Sequence, residues 1–597
     1  MDNPDTETFI EILRSQAASH PGTEAYAFVA EARGGETTDR ETYGGLDRGA
    51  REVAARLAAV GASGGGRVLL LFPSGLNFIR AFVGCLYAAS VAVPAPLPGH
   101  TRAQQERVSG ILRDAAPSAV LTDAAGLTSV TAWLKESGHG ALPVLAVDGK
   151  APAVPPVSLS LPEVTRDTLA FLQYTSGSTG DPKGVRVTHG NLTANLRLIR
   201  DTLGMPPGMR FCGWLPAIHD LGLIGQILAM AYVGGSSLIM PPGEFLRRPW
   251  RWLQLLSEHR AGVSAAPDFA YALCARTVTD EQLATLDLSS WEIALNGSEP
   301  VRPRTLAAFA DRFAAAGFAP TALAPAYGLA EATLLVTGKP RGTAPVVATL
   351  DGLGTRVSSG PVPGRAPAAD RTGTSEDSGA SEAHEVVIVD PETSVPLPEG
   401  QVGEIWLRGP SVAAGYWGRE EESRRVFRAA LRLPGGEETG EAAAARGYLR
   451  TGDLGTVRRG ELFVTGRLKD VIIARGRNLY PNDLEAAVGD LDAQLRGTAV
   501  FTAAADPERI VVVQEVARSG SLTRDAAAAL VARIQAELVR EYGIPVPEVV
   551  LTRPGAVRRT TSGKVRRAWM RQLHERGALR PLHEPGRLEA SPAPAAR

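Results

Sequence analysis

The chain has 597 residues, with 63 Lys and Arg against 64 Asp and Glu, so its formal net charge is -1 at pH 7. A chain of this length exceeds the size of one hydrophobic core, so we expect several subdomains. The balanced charge excludes recruitment of nucleic acid by a global electrostatic field, and a composition of 44% hydrophobic and 21% charged residues is typical of a globular protein.

The cysteines and the N-terminus predict the compartment. Cys85, Cys212 and Cys274 are far apart, lie mostly in apolar surroundings and have no metal-ligand spacing, as expected of buried thiols in a reducing compartment. The opening Met-Asp-Asn-Pro-Asp is acidic and lacks the basic-then-apolar layout of a signal peptide. We therefore expect a cytoplasmic protein.

One uncharged stretch, Leu221 to Pro242, is long enough to suggest a membrane span. The sequence Gly-Gly-Ser-Ser at 234–237 interrupts it. This punctuation favours a buried helix, about Leu221–Tyr232, that turns into a buried strand, Ser237–Met240. The sequence therefore predicts no transmembrane segment.

The first third of the chain alternates apolar runs of strand length with stretches of helical spacing. The predicted elements are strand Arg67–Phe72, helix Asn77–Ser90, strand Val91–Val93, helix Arg107–Ala115 and strand Ala119–Leu121. The middle third continues the alternation from helix Arg251–His259 to helix Pro303–Ala316. Strands that alternate with helices favour parallel sheets covered by helices, so we predict an α/β fold.

Composition shifts toward the C-terminus. Residues 361–384, approximately, are crowded with Pro, Gly, Ser, Ala and Asp, which predicts a flexible surface excursion within an N-terminal core of residues 1–465. A smaller domain is predicted over residues 466–580. The Pro- and Ala-rich end, residues 581–597, is expected to be disordered.

The most informative stretch is Tyr174–Val185, which reads Tyr-Thr-Ser-Gly-Ser-Thr-Gly-Asp-Pro-Lys-Gly-Val between two strand-like runs. Its glycines let several backbone N–H groups point into one hollow, its hydroxyls add donors, and its lysine adds a positive charge. The stretch therefore predicts a phosphate-binding loop rather than a flexible linker. The residues expected to contact the nucleotide are Thr175, Ser176, Gly177, Ser178, Thr179, Gly180 and Lys183.

This loop differs from the Gly-x-x-x-x-Gly-Lys-Ser/Thr motif of other nucleotide enzymes, because Asp181 and Pro182 precede Lys183 and Gly184 follows it. It resembles the phosphate loop of the AMP-forming adenylation superfamily: acyl-CoA synthetases, peptide-synthetase adenylation domains, luciferases and fatty acyl-AMP ligases. The resemblance implies a large N-terminal domain of parallel-rich sheets flanked by helices, a β-subdomain, and a small mobile α+β C-terminal domain.

The string Trp214–Gly222 reads Trp-Leu-Pro-Ala-Ile-His-Asp-Leu-Gly, with a histidine and a carboxylate at the start of the uncharged stretch. Taken alone, the pattern is that of a capped helix end with a satisfied histidine. It resembles the Trp-Leu-Pro-x-x-His-Asp-x-Gly that stands at the acyl-binding mouth of fatty acyl-AMP ligases. The resemblance implies that His219 lines the place where the carboxylate meets ATP, and makes it a candidate catalytic residue.

A loop at residues 296–300, Asn-Gly-Ser-Glu-Pro, follows a predicted strand, as ligand-contacting loops do in open α/β sheets, although a plain turn would read similarly. It resembles the Asn-Gly-Ala-Glu-Pro of the superfamily, whose backbone walls the adenine pocket. The resemblance implies that Asn296, Gly297, Ser298 and Glu299 contact the nucleotide.

The string Pro325–Leu334 reads Pro-Ala-Tyr-Gly-Leu-Ala-Glu-Ala-Thr-Leu. Tyr327, beside Gly328, offers a flat face for adenine, and Glu331 offers a hard oxygen ligand for Mg²⁺, so Glu331 is a candidate catalytic and metal-binding residue. The alternative is an ordinary buried tyrosine beside a helix start. Most superfamily members place Thr before this Glu, whereas this chain has Ala330. Fatty acyl-AMP ligases resemble it here, which favours their branch over CoA synthetases.

The resemblance continues in the C-terminal third. Thr-Gly-Asp at 451–453 implies that Asp453 accepts both ribose hydroxyls. Gly-Arg-Leu-Lys-Asp at 466–470 implies that Arg467 reaches the ribose and phosphate and that Lys469 is the hinge about which the small domain swings. Lys564 matches the catalytic lysine of the family, although without the family a solvated basic turn would be the better interpretation of its surroundings.

Together these resemblances predict a two-step ligase. A medium- or long-chain fatty acid attacks MgATP to give acyl-AMP and pyrophosphate, and the acyl group then passes to the phosphopantetheine thiol of an acyl carrier protein. The carrier is expected to be a separate protein, because the chain contains no Asp-Ser-Leu attachment signature. Two alternatives stay open here: a fatty acyl-CoA synthetase and a non-catalytic adenylate-binding protein.

Two further stretches bear on partners. Lys339–Val357 is a candidate for the insertion by which the family hinders use of CoA. Residues 553–580 hold nine Lys and Arg and one acid. They form either a solvated helix face or a docking surface for an acidic carrier protein.

Overall fold

The structure, a computed structural model, describes residues 7–32, 35–99, 101–149, 162–175, 182–362, 384–432, 447–474, 477–492, 494–503, 509–517, 522–544, 546–559 and 565–582. Of the predicted features, residues 176–180, Lys564, and most of the excursion and of the C-terminal tail lie outside the described residues. The chain divides into two compact units, Met1–Val464 and Thr465–Arg597.

Six strands of the N-terminal unit form a mostly parallel sheet. In sheet order they are Val144–Ala146, Ala119–Thr122, Arg67–Leu71, Val91–Ala95, Leu169–Thr175 and Lys183–Thr188. All neighbours pair parallel except the last two, which are antiparallel. Apolar runs such as Val-Leu-Leu-Leu at 68–71 are buried along their whole length, as expected of a parallel sheet covered on both faces.

A second sheet has eight strands. In sheet order they are Leu335–Gly338, Leu323–Gly328, Ile293–Asn296, Val263–Ala266, Arg210–Gly213, Ser236–Ile239, Glu24–Ala32 and Gly35–Thr42. The inner neighbours pair parallel, and the strand at each edge is antiparallel. The edge strand Gly35–Thr42 is exposed over most of its length and has no apolar alternation, so the sequence does not predict it.

Helices alternate with these strands along the chain. The α-helices of the N-terminal unit are Phe9–Ser19, Tyr43–Ala59, Leu76–Tyr87, Arg102–Ala115, Leu127–Glu136, His189–Leu203, Ala229–Tyr232, Pro242–Arg247, Pro249–Glu258, Asp268–Thr277, Asp280–Leu283, Pro303–Phe313 and Glu420–Phe427. Short 3₁₀ turns lie at Ala314–Ala316, Pro320–Ala322 and Ala330–Ala332.

The uncharged stretch begins as a π-helix, Leu221–Leu228, where the sequence predicts an ordinary helix. Gly222 is required at its start, because a Cβ there would lie 2.1 Å from the Pro216 carbonyl oxygen. Single π-helical turns inside α-helices are rare and are frequent at functional sites. Among the described residues, no helix has the length and apolar character needed to cross a bilayer.

A smaller β-region follows these sheets. Its four strands, in order, are Glu385–Val389, Gly403–Arg408, Leu449–Arg458 and Glu461–Arg467, and the last one runs across the border of the two units. The candidate insertion contains a separate hairpin, Val347–Leu350 with Gly354–Val357.

The C-terminal unit is α+β. Its three-stranded sheet consists of Leu495–Thr502, Ile510–Val516 and Glu548–Thr552, and a hairpin joins Ile472–Ala474 to Arg477–Leu479. Its α-helices are Pro481–Asp490, Arg524–Tyr542 and Arg567–Glu575, and a 3₁₀ turn lies at Leu468–Asp470. The unit has its own apolar core, which includes Leu484, Val512 and Ile534. The predicted fold class is confirmed.

Candidate active site

The predicted phosphate loop joins two strands of the six-stranded sheet. Leu169–Thr175 and Lys183–Thr188 pair antiparallel, and their register places Thr175 opposite Lys183. Both strands are largely buried, because their sequences are apolar and β-branched. The pairing therefore brings the two described ends of the loop side by side.

Lys183 contacts two side chains that come from much later in the chain. Its Nζ lies 2.5 Å from Oε1 of Glu422 and 5.4 Å from the centre of the Tyr416 ring. An aromatic face attracts a cation because of the ring quadrupole. The ammonium is thus held between a carboxylate and an aromatic face, with 20% of the lysine side chain exposed.

Glu331 lies in the 3₁₀ turn Ala330–Ala332, and the Tyr416 hydroxyl donates a 2.9 Å hydrogen bond to its Oε1. Burial, followed by the nearby carboxylates of Glu331 and Glu422, raises the pKa of Tyr416, so its hydroxyl stays protonated and acts as the donor. One tyrosine therefore touches both Lys183 and Glu331. Nothing in the sequence around Tyr416 singled it out.

A short stretch, residues 413–417, carries this tyrosine, and we call it the bridging segment. At its start the Ala413 N–H donates to the Glu331 carbonyl (2.9 Å), and at its end the Trp417 N–H donates to the Gly184 carbonyl (2.8 Å). The backbone of the bridging segment therefore connects the turn that carries the candidate carboxylate to the strand that carries the candidate lysine.

The backbone just after the candidate carboxylate is strained. The Leu334 N–H donates to the Ala332 carbonyl (2.9 Å) in a γ-turn, and the central residue, Thr333, has φ 68 and ψ -62. A positive φ at a β-branched residue is an outlier that costs on the order of 1–3 kcal/mol. Buried hydrogen bonds hold the turn: Thr333 Oγ1 donates to the Ser411 carbonyl (2.7 Å), and the Asn195 amide donates to the Ala332 carbonyl (3.2 Å).

The predicted adenine and ribose contacts also lie together. The Tyr327 hydroxyl donates a 2.9 Å hydrogen bond to Oδ2 of Asp453, and both side chains are buried. Gly328 follows at a close approach of two strands, because a Cβ there would lie 2.0 Å from the Leu334 carbonyl oxygen. Gly328 therefore has a packing reason of its own, whatever its contact with a nucleotide.

Asn296 is fully buried at the end of its strand, and its Nδ2 donates to Oδ1 of Asp268 (3.0 Å). The same carboxylate accepts from Thr305 Oγ1 (2.8 Å) and from the Arg302 N–H (3.2 Å). Burial raises the pKa of Asp268 in spite of these hydrogen bonds. Asp268 is thus the hub of the predicted adenine loop, and the sequence offered no signal for it beyond a carboxylate at a helix start.

Glu299 of the same loop also contacts the protein through its side chain. Glu299 Oε1 accepts from the Phe269 N–H (2.6 Å) at the start of the helix Asp268–Thr277. Ser298 has φ 66, and a Cβ on Gly297 would lie 3.1 Å from the Ala326 carbonyl oxygen. Asn296 and Glu299 therefore brace the loop with the side-chain contacts named here, and the predicted contact with the nucleotide is one of backbone.

His219 lies just before the π-helix, and its Nδ1 is 2.6 Å from Oδ1 of Asp220. That oxygen also accepts from the Leu221 N–H (2.7 Å). The Leu221 N–H also donates to Nδ1 of His219 (3.4 Å), and one quarter of the histidine side chain (25%) is exposed. Nearby, Trp214 stacks on Phe245 with ring centres 4.0 Å apart.

The remaining predicted residues belong to the C-terminal unit or lie outside the described residues. Arg467 ends the strand Glu461–Arg467, and Lys469 lies in the turn Leu468–Asp470; both side chains are exposed. Lys564 is not among the described residues. The basic stretch is partly engaged within its own unit, because Arg567 pairs with the buried Glu485 at 2.7 Å.

The residues present suit Mg²⁺ bound together with a nucleotide rather than a metal cage. Among the described residues no group of three or more His, Cys, Asp and Glu is placed to hold an ion. Mg²⁺ commonly takes one or two carboxylates together with substrate phosphates and water. Glu331 supplies one such carboxylate, and Tyr416 occupies only one of its oxygens in the contacts described above.

Comparison with known proteins identifies the family. The AMP-binding enzyme family matches residues 13–417, more than half of the chain. The chain is 39% identical to the medium-chain-fatty-acid–[acyl-carrier-protein] ligase JamA of Moorena producens, with 97% of each protein covered. It is 38% identical to the long-chain-fatty-acid–AMP ligase FadD26 of Mycobacterium marinum, over 93% of this chain and 95% of the relative.

Solved structures agree. A fatty acyl-adenylate ligase from L. pneumophila in complex with acyl adenylate and pyrophosphate is 34% identical, with a TM-score of 0.69 over 96% of this chain and 97% of that one. A structure from work on fatty acyl-adenylate ligases of E. coli and L. pneumophila is 30% identical, with a TM-score of 0.81 over 97% of this chain and 99% of that one. The chain therefore belongs to the AMP-binding enzymes and, among them, to the fatty acyl-AMP ligases.

Proposed function

We propose that this chain activates a medium- or long-chain fatty acid with MgATP to acyl-AMP and pyrophosphate, and then transfers the acyl group to the phosphopantetheine thiol of a separate acyl carrier protein. Relatives named for each of these activities support the proposal. The observation that carries it is the convergence of Lys183 and Glu331 on Tyr416, which places a cation and a hard carboxylate beside the predicted phosphate loop.

In the first step a carboxylate oxygen of the fatty acid attacks the α-phosphorus while the bond to pyrophosphate breaks. Negative charge then grows on the phosphoryl oxygens, so positioning and electrostatic stabilisation supply most of the catalysis. Lys183 brings a full positive charge to this place, and Thr175 brings a hydroxyl donor from the opposite strand end. Lys564, by its resemblance to the family's lysine, is the proposed second cation.

The remaining residues bind and orient. Tyr327 would stack on adenine, and Asp453 and Arg467 would hold the ribose. His219 would line the place where the fatty carboxylate meets ATP, with one quarter of its side chain exposed. Glu331 would hold Mg²⁺, which when bound neutralises charge on the ATP phosphates.

Exchange of labelled pyrophosphate into ATP, with fatty acids of graded length, tests the first step. We expect exchange with medium or long chains, and a loss of about 100-fold in Glu331→Gln, the scale of one lost transition-state contact. Glu385→Gln is the matched control, because Glu385 also accepts a tyrosine hydroxyl (from Tyr448, at 2.7 Å) but lies outside the site. A wild-type protein inert with every fatty acid would contradict the proposal.

Competition between acceptors tests the second step. Preformed acyl-AMP enzyme is offered phosphopantetheinylated carrier protein or CoA, and we expect transfer to the carrier. Ala330, which stands where CoA synthetases carry Thr, favours this outcome. Efficient formation of acyl-CoA would instead establish a fatty acyl-CoA synthetase. We also place the enzyme in the cytoplasm, a location that suits its three buried free thiols.

A further inference from the structure

Tyr416 makes two different contacts with the two groups proposed to flank the triphosphate. Its ring lies under the Lys183 ammonium, and its hydroxyl donates to Glu331. The tyrosine itself is only 7% exposed. Its N–H donates to Ser423 Oγ (2.8 Å), and its ring packs edge-on against Phe427 with centres 5.0 Å apart. The surrounding contacts therefore hold the ring in one orientation.

A side chain fixed in this way limits where both charges can lie. The ring face favours one position of the ammonium, and the hydroxyl fixes one of the two carboxylate oxygens. We propose that Tyr416 is a positioning residue of the adenylation reaction, which sets the spacing of Lys183 and Glu331 by seating the first on its ring and orienting the second through its hydroxyl. This inference rests on the proposed function.

The hydroxyl is a dependable donor at this place. The titratable groups that face it are the carboxylates of Glu331 and Glu422 and the ammonium of Lys183. The contact at 2.9 Å between the Tyr416 hydroxyl and Oε1 of Glu331 is that of a hydroxyl donor on a carboxylate acceptor. The geometry therefore lets Tyr416 orient Glu331.

A second tyrosine provides a matched control. Tyr448 is buried to a similar extent, its hydroxyl donates to Oε1 of Glu385 (2.7 Å), and the Arg408 guanidinium lies 4.8 Å from its ring centre. A tyrosine between a cation and a carboxylate is thus also a purely structural device in this fold. Only Tyr416 places that device on the two proposed phosphate-side groups.

The decisive variant is Tyr416→Phe, which keeps the ring and loses the hydroxyl. We expect the affinity for Mn²⁺, titrated by electron paramagnetic resonance with a non-hydrolysable ATP analogue, to weaken by about tenfold, the scale of a hydrogen bond to a charged group. The KM for ATP should change by less than about twofold, because the ring still seats Lys183. Tyr416→Leu removes both contacts and should raise this KM as well, by about threefold or more.

Tyr448→Phe should leave the Mn²⁺ affinity and the KM for ATP unchanged. In the double variant Glu331→Gln, Tyr416→Phe, the tyrosine change should not weaken the affinity for Mn²⁺ beyond the loss in Glu331→Gln alone, if Tyr416 acts through Glu331. Losses of Mn²⁺ affinity that add in the double variant would overturn this inference and leave the proposed function standing. A Tyr416→Phe protein that binds Mn²⁺ like the wild type would do the same. A wild-type protein without pyrophosphate exchange would instead remove the proposed function on which it rests. Tyr416→Phe and Tyr448→Phe can lower the melting temperature equally. The comparison of their Mn²⁺ affinities stays decisive, because the titration is made at a temperature at which both variants are folded.

Discussion

The proposed site has two sides that are built from different interactions. On the adenine side, residues 296–299 are braced by buried hydrogen bonds that converge on Asp268. On the phosphate side, Lys183 and Glu422 form a partly exposed ion pair, and Tyr416 joins this pair to Glu331. One side is fixed by burial, and the other is held by charges that retain access to solvent.

Because of this difference, we expect substitutions on the two sides to have different effects on stability and on reaction rate. A buried polar group left without a partner costs about 1–3 kcal/mol, so changes on the adenine side should affect folding and nucleotide affinity together. A partly exposed ion pair contributes about 0–1 kcal/mol, so its members can exchange a protein partner for a ligand at little cost. Changes on the phosphate side should therefore affect rate while the melting temperature stays nearly constant.

The largest effect is expected for Lys183→Met on the phosphate side. Loss of the ammonium should lower kcat/KM for pyrophosphate exchange by about 100-fold, because a preorganised charge at the reacting phosphate is lost. The melting temperature, read by differential scanning fluorimetry, should hardly change. Arg408→Met, which removes another cation that lies over a tyrosine, is the control and should retain full exchange. A large loss of stability in Lys183→Met would erase the proposed distinction between the two sides.

Asp268→Asn should remove hydrogen bonds that brace the adenine side of the site. The amide has one acceptor oxygen where the carboxylate has two, so part of the set donated by Asn296, Arg302 and Thr305 is lost. We expect a lower melting temperature and a KM for ATP raised by about tenfold, the scale of one buried unsatisfied group. Thr305→Val removes a single donor and should show the same changes at smaller size. An unchanged KM for ATP would show that Asp268 does not support the nucleotide loop.

Mild acid should weaken the scaffold under the phosphate side. Burial lowers the pKa of His384 from 6.5 to about 4, and its Nε2 lies 2.8 Å from Ser411 Oγ. Between these two values the unfolded chain takes up a proton that the folded chain refuses, so stability is complete above 6.5 and falls as the pH drops toward 4. The loss from pH 7 to about 5.5 should be about 1 kcal/mol for this residue.

Urea unfolding at both pH values checks this expectation. In His384→Gln the free energy of unfolding should fall less between pH 7 and pH 5.5. The slope that persists in that variant is expected from the other histidines whose pKa burial lowers, which are His189, to about 4, and His259. An equal loss of unfolding free energy in the wild type and in His384→Gln would exclude His384 as the source of the pH dependence.

The smallest effect, and the one of opposite sign, is expected for Glu422→Gln. In the proposed site the carboxylate of Glu422, which contacts the Lys183 ammonium, would compete with the phosphates of ATP for it. Removing the competing charge should lower the KM for ATP by about threefold, consistent with an exposed pair worth less than about 1 kcal/mol. Steady-state kinetics at low ionic strength gives the clearest reading. A raised KM would mean that Glu422 orients the lysine instead of competing for it.

The local chemistry of the site could be predicted where it lies on one continuous string. The strand-like runs on both sides of the phosphate loop predict that it lies between two strands, and the structure pairs these strands with Thr175 opposite Lys183. Tyr416 and Glu422 could not be found in this way. Their contacts with the loop span more than two hundred residues, and as a string they read like an ordinary turn before a helix.

The π-helix and the strained turn could not be predicted from the sequence for a different reason. The π-helix Leu221–Leu228 has the same apolar composition as an α-helix, so periodicity cannot distinguish the two. The strained turn at Thr333 depends on partners from two distant segments, Asn195 and Ser411. Asp268 looked like any carboxylate at a helix start, and only its three converging donors reveal its part in the loop.

The bridging segment has a consequence for association between molecules. Lys183–Thr188 is the last strand of its sheet, and its outer side would be open to pairing with another chain. Residues 413–417 cover that side: the Arg186 N–H donates to the Gly415 carbonyl (2.9 Å), and the Ala414 N–H donates to the Arg186 carbonyl (3.0 Å). The same cover prevents a one-residue slip of the strand, which would turn Lys183 to the opposite face. The segment that presents Tyr416 thus also guards the protein against edge-to-edge aggregation.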